Sequence, residues 1–523
     1  MKKNLLYLFL LFPLFSIAQN EDPYMSKGVD LYKNKDYSGA LDYFTKEIEL
    51  NPGNAEAYNY KGIIKLQQGD LREAIDVFSK EITINPNVAI AYANRAYAKL
   101  ALQDYKGALP DCDHAIALDP KSPNGYLNRG QAKNGLGDYH GAIEDYDEVL
   151  KIDPGSAAAY IDRGNAENAL EDFKGGMADL DKAISLDPQS PEAFLDRGIS
   201  KSNLKDNYGA IDDFSKAIAL NPKMEVAYVD RAFERASLND LNNALADLNQ
   251  AIVINPKYAG AYIKRGALDV SMGNFGAANT DFSQAISLSP DNPEAWYNRA
   301  ETKMKLNDND GALADLNKAI SLNADYMPAY HDRGCVKNAM GDYPGAIADL
   351  SHAILLAPHV ESSYYNRAVA RFSLHQNKEA MYDLDQAIGI NPNYGEARFY
   401  RALVCMQLND YMSAMPDLDK AIAQNFNLPY SYFMRGYANA EAKRNTAALA
   451  DLNKSIELSP SNGAAYFARG KVYISMNNKV AGKADMVKAA SLGNQEAVIY
   501  LKYGGQKHKT ATSSSSDWVV WKK

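Results

Sequence analysis

A chain of 523 residues that is 46% hydrophobic and 23% charged is neither a disordered polymer nor a multi-span membrane protein. A net charge of −9 disfavours nucleic acid and anionic lipid as general partners. Length alone would allow several globular domains, but that expectation assumes independent cores, and an internal repeat removes it.

Residues 1–18 stand apart. Lys2 and Lys3 precede an apolar run from Leu5 to Phe15, and Ser16-Ile17-Ala18 places small residues where a signal peptidase reads them. The pattern predicts a cleaved signal peptide with Gln19 as the first mature residue. The alternative is an uncleaved anchor, for which the run is short. No cysteine follows the run, so lipid attachment is not expected there. The protein is expected to be exported, periplasmic or secreted, with no membrane span after cleavage.

From Glu21 to Glu496 the chain repeats every 34 residues, fourteen times, without insertion or deletion. Pro52, Pro86, Pro120, Pro154, Pro188, Pro222, Pro256, Pro290, Pro358, Pro392 and Pro460 hold the register; Ala324, Phe426 and Asn494 replace the proline in three copies. The stretch Gly125–Pro154 shows the plan. Tyr126, Leu127 and Gly130, then Ala142, Tyr146 and Val149, recur at helical spacing, which predicts two amphipathic helices, A and B. Gly137-Asp138 separates them, with glycine for the turn and aspartate at the positive end of helix B. Asp153-Pro154 ends helix B, since proline cannot continue it. Position eight is Gly or Ala in every copy, as is position twenty, so the two helices are expected to approach with little side chain between them. Cys112, Cys335 and Cys405 occupy different repeat positions in non-adjacent copies, so no pair is expected within disulfide reach and stability must come from packing.

This pattern resembles the tetratricopeptide repeat family: an aromatic at position four, Gly at eight, Ala at twenty, an aromatic or Leu at twenty-four and Pro at thirty-two are matched by Tyr126, Gly130, Ala142, Tyr146 and Pro154. The resemblance covers about nine tenths of the chain. It implies an all-α fold, an α-solenoid of antiparallel helix pairs wound as a right-handed superhelix of about fourteen 34-residue repeats, with helix A lining a concave groove that in this family binds protein segments.

Two columns depart from the family. Position seven, usually Leu, is arginine in the last twelve repeats, from Arg95 to Arg469, and position twenty-three is aspartate in the same twelve, from Asp111 to Asp485. The first two repeats have Lys27 and Lys61, then Tyr43 and Val77, at these places. Columns that switch together predict contact, and a guanidinium fork suits a carboxylate. A ladder of Arg–Asp pairs is expected, joined by basic residues at position eleven such as Lys99, Lys133 and Arg371. An anion-binding stripe is the functional alternative.

The resemblance places positions two, five, six, nine, twelve and thirteen of helix A on the groove. Column six then offers Asn128, Asp162, Asp196, Asp230, Asn298, Asp332 and Asn366, turning to Tyr400 and Met434. Column five is aliphatic at first and becomes Tyr297, His331, Tyr365, Phe399, Phe433 and Phe467. The expected groove is polar and mildly acidic in its middle and aromatic toward the C-terminus, a surface for protein or peptide segments. The competing structural reading packs column five between A helices and leaves column six as a solvated face. Clamping of a peptide carboxylate is not expected, because Lys264 is the lone basic residue of columns two, five and six.

No phosphate loop, HExxH, paired CxxC or serine elbow occurs. His331 and Cys335 lie four apart, yet no third partner is evident in the sequence, so no catalytic residue, metal or cofactor is expected. After Glu496, residues 497–505 are expected to form a capping helix, and residues 506–523 a flexible tail ending in WVVWKK, whose Trp518 and Trp521 make it either a docking peptide or simply disordered. The expected function is a non-catalytic interaction scaffold of the cell envelope. The alternatives are a carbohydrate-handling enzyme using the acidic row, or a self-associating assembly element.

Overall fold

The structure, a computed structural model, describes residues 23–503. The leader expected over residues 1–18 and the Trp518–Trp521 tail lie outside them. The described residues form twenty-nine helices and no strand, an α-solenoid of helix pairs. The chain divides into two units, Met1–Leu268 and Asp269–Lys523.

Repeat six, in the first unit, shows why the sequence takes this form. Its A helix, Pro191–Asn203, starts with proline in the first turn, and the Ser190 side chain accepts from the Ala193 amide. After Leu204 the chain reverses through Lys205 at φ +66°. The B helix, Asn207–Leu220, is capped by Asp206, whose side chain accepts from the Gly209 amide at 3.0 Å. It stops at Asn221-Pro222. The same positive-φ position recurs at Gly69, Gly137 and Gly341, but also at Gln103, Glu171, Asn307 and Lys443, so the turn is imposed by the helix pair and does not wait for glycine.

The core of each repeat lies between its own helices. Where position twenty-four is aromatic, position eight is glycine. A Cβ on Gly28, Gly62, Gly130 or Gly198 would lie 2.7, 2.5, 2.5 and 2.5 Å from Phe44, Phe78, Tyr146 and Phe214 respectively. Where Leu316, Leu384 or Leu418 stands at twenty-four, alanine (Ala300, Ala368, Ala402) fits at eight, and all six are buried. In these repeats a smaller partner at twenty-four leaves room for a methyl at eight, whereas Gly164, Gly334 and Gly436 stay glycine opposite Leu180, Leu350 and Leu452.

In both units A helices also pack on the preceding B helix, as Glu225–Ser237 does on Asn207–Leu220 in the first and Glu361–Ser373 on Tyr343–Leu356 in the second. Successive A helices touch one another, as Ala89–Ala101 and Pro123–Gly135 do in the first unit and Met327–Met340 and Glu361–Ser373 in the second, whereas successive B helices have little or no contact. The A side is therefore the inner side of the stack within each unit. In the second unit the last helix, Gln495–Tyr503, lies against Lys479–Ser491. No described helix is long and apolar enough to cross a membrane.

Candidate protein-binding groove

The position-seven arginines come first, because their placement decides which charges remain on the inner face. Arg231 donates from Nε and Nη2 to both oxygens of Asp247 at 2.9 and 2.7 Å. Its Nη1 donates to Ser215 Oγ of the preceding repeat at 3.0 Å, and its guanidinium carbon sits 5.6 Å from the centre of the Tyr228 ring. Arg235, one turn on, adds a third donor to Asp247. The same fork recurs at Arg95, Arg129, Arg163 and Arg197 in the first unit, and at Arg299, Arg333, Arg367, Arg401, Arg435 and Arg469 in the second. Each clamp joins three helices, and its carboxylate is buried. With donors engaged and, in all of these but Arg401, an aromatic ring over one face, these arginines are not a stripe for a foreign anion. In repeat twelve, where Cys405 takes position eleven, Arg398 reaches Asp417 instead at 3.2 Å.

The inner face is stitched as well. In the first unit Asp162 accepts from Gln131 Nε2, and Asp196 from Asn165 Nδ2, each at 2.8 Å. Asn128 is 7% exposed and donates to the Ala93 carbonyl at 2.9 Å. Burial pushes Asp162 and Asp230 up to about 6 and Asp196 to about 7, with Asp162, Glu192 and Asp230 adding to the last; Lys264 draws Asp230 down. Asp162 and Asp196 are therefore half-buried carboxyls bound into the A layer, Asp230 is half-buried in the same row, and Asn128 is a structural tie. Sequence reasoning missed Gln131 and Asn165, amides at position nine; the signal was their recurrence 31 residues before each aspartate.

In the second unit Tyr297 donates from its hydroxyl to Asp332 at 2.9 Å, and its ring meets Tyr326 edge-on at 5.2 Å. Asn298 is half-buried, and the backbone oxygen of Asn366 accepts from Asn338 at 2.9 Å. Tyr365 stands 5.4 Å from Tyr400 and 5.3 Å from Tyr394, ring centre to ring centre. Both Tyr365 and Tyr400 keep part of their surface. Phe399, Phe433 and Met434 do not: they are 4%, 1% and 3% exposed. The expectation that they line an open surface is corrected. Each packs with Ala402, Leu418 and Leu452 in one core, because removing that apolar area from water is worth more than leaving it exposed. Tyr430 and Tyr437, half-buried beside Phe433, add rings from positions two and nine that the column reading left out.

Models of the tetratricopeptide repeat match residues 25–89, 127–191, 269–332 and 399–463. The chain belongs to the tetratricopeptide repeat family. Among solved structures it is similar to the Cut9–Hcn1 hetero-tetramer of APC/C, at 16% identity over 92% of this chain and 96% of that one, with a TM-score of 0.44. It is also similar to a tetratricopeptide repeat protein from Parabacteroides merdae, at 21% identity over 47% of this chain and 98% of that one (TM-score 0.40). Yeast Tom70 matches at 17% identity over 81% and 96% (TM-score 0.35). No curated protein matches the sequence. Tetratricopeptide repeats are protein-interaction scaffolds and generally not catalysts.

One tetratricopeptide helix carries more than packing explains. On Met327–Met340, His331 Nδ1 lies 2.8 Å from Ser363 Oγ, and Nε2 lies 3.6 Å from Cys335 Sγ. The third partner that the sequence did not reveal is Asp332, whose carboxylate joins the other two ligand atoms within 4.8 Å. Burial lowers His331, favouring neutral imidazole, and raises Cys335 to about 12 with help from Asp332. Such a thiol is no nucleophile at neutral pH.

Proposed function

We propose that this protein is an exported, non-catalytic scaffold of the cell envelope that holds protein or peptide segments along its A helices. One observation carries the reading. In the second unit Tyr297, His331, Tyr365 and Tyr400 follow one another along the inner face, half-buried and pre-positioned by neighbours, so a bound segment meets rigid aromatic area at small entropic cost. Export rests on the apolar leader of residues 1–18, and free cysteines that need no disulfide suit either side of an outer membrane.

The test is capture of partners from envelope extracts by the full mature chain and by a Tyr365→Ser, Tyr400→Ser double variant. Both residues keep part of their surface, but Tyr400 packs against the Phe399–Phe433 core and Tyr365 against the Phe372–Leu384 core, so each form is melted alongside the capture. A matched melting curve for the two forms with at least tenfold weaker recovery by the variant is expected; equal recovery would reject the aromatic inner face as the docking surface.

A further inference from the structure

We propose that His331, Asp332 and Cys335 form a metal site for a borderline divalent cation of the zinc type, with one coordination position left open. It does not depend on the scaffold reading.

The geometry is the first argument. Tetrahedral zinc with a sulfur ligand at about 2.3 Å and an imidazole nitrogen at about 2.0–2.1 Å sets those two atoms about 3.6 Å apart. His331 Nε2 and Cys335 Sγ are 3.6 Å apart. They stand one helical turn from each other, so helix geometry itself maintains the bite. Asp332 supplies the third donor, within 4.8 Å of both.

The supports are the second argument. A ligating histidine is held by a hydrogen bond at its other nitrogen, and a ligating carboxylate by a donor of its own. Here Ser363 Oγ, on the next A helix, meets His331 Nδ1 at 2.8 Å, and the Tyr297 hydroxyl, on the preceding one, donates to Asp332 at 2.9 Å. With Nδ1–H donating to Ser363, the Nε2 lone pair points at the thiol. Three consecutive repeats thus orient two ligands.

The charges close as well. When a dication enters, the Cys335 S–H bond breaks and its proton passes to solvent. The metal–sulfur bond forms in its place, and the thiolate and the Asp332 carboxylate together cancel the two positive charges. Imidazole joins through Nε2 and brings no charge of its own, its other nitrogen being held by Ser363. A thiolate, an imidazole and one carboxylate select zinc or cobalt over magnesium or calcium. The fourth position would hold water or a donor from a bound segment.

The experiment titrates the reduced, metal-free full chain with Co2+. Expected are one equivalent bound, a thiolate-to-cobalt charge-transfer band, about one proton released per metal, and displacement by Zn2+ but not by Mg2+. Cys335→Ser and His331→Gln should each abolish the band, Cys405→Ser should keep it, and Ser363→Ala should weaken binding about 10–100-fold. Melting curves of the metal-free variants identify any that fail to fold, and proton release by the unaltered chain tests the site without them. No saturable cobalt spectrum, or one that survives in folded Cys335→Ser, would overturn the assignment.

Discussion

Arg367 and Asp383 meet through two parallel hydrogen bonds, Nε to Oδ2 at 2.9 Å and Nη2 to Oδ1 at 2.7 Å, around a carboxylate with no exposed surface. Arg371 donates to the same carboxylate at 2.7 Å, so two cations face one buried anion. Desolvation makes such a cluster a poor net source of stability but an expensive one to break. Asp383→Ala strands two guanidinium groups and is expected to cost about 3–5 kcal/mol, with Asp383→Asn costing less because one acceptor remains. Urea unfolding, with hydrogen exchange over residues 361–390 to locate the loss, measures it. A change below about 1 kcal/mol, the range of exposed pairs, would place the clamp among ornamental ion pairs.

The close contact of Gly130 with Tyr146 gives a prediction with a built-in rescue. Gly130→Ala sets a methyl 2.5 Å from the ring and is expected to destabilise by about 1–3 kcal/mol. Adding Tyr146→Leu recreates the Ala300–Leu316 pairing of repeat nine and should recover much of that loss. A double variant no better than the single one would deny that volume at this contact sets the residue choice.

Three carboxyls of the inner face make stability pH-dependent in an unusual direction. Folding raises Asp196 to about 7, and Asp162 and Asp230 to about 6, each by burial first. The folded chain therefore binds more protons than the unfolded one between the ordinary aspartate range and these values. Their contribution is intact below about pH 4, the unfolded aspartate pKa, and is lost as pH rises through 6 to 7. Glu81, pushed up to about 8 by burial despite the Asn59 amide, extends the loss to higher pH. Asp196→Asn keeps an acceptor for Asn165 and should raise the melting temperature at pH 8 but not at pH 4. An equal effect at both would remove ionisation as the cause.

The three thiols are expected to be slow toward alkylation in the native chain. Burial pushes Cys112 and Cys335 up to about 12 and Cys405 to about 11, so little thiolate is present at neutral pH. A thiol-reactive chromophore should count three groups in denaturant and react at least tenfold more slowly without it. Fast native labelling at Cys335 would show that its helix opens.

Much of this was legible in the sequence, and the reasons are local. A period of 34 residues, apolar stripes at helical spacing, Asp before helix B and Pro after it set the fourteen helix pairs, because each acts within one repeat. The Arg–Asp ladder was legible too, since two columns 16 residues apart change together at the same copy. The chemistry of the inner face was not. Column six reads as a row of ligands, but Asn128, Asp162 and Asp196 are tied to residues 31 or 35 positions earlier, on the neighbouring A helix. Likewise Phe399 and Phe433 share a column with half-buried Tyr365 yet sink into a core. The sequence by itself determined which residues share a helix face. Only the tertiary structure decided which of them stay accessible, and that Ser363 and Tyr297 on the flanking A helices hold His331 and Asp332, because the distance and tilt between consecutive A helices follow from packing summed over neighbouring repeats and from no single repeat's pattern.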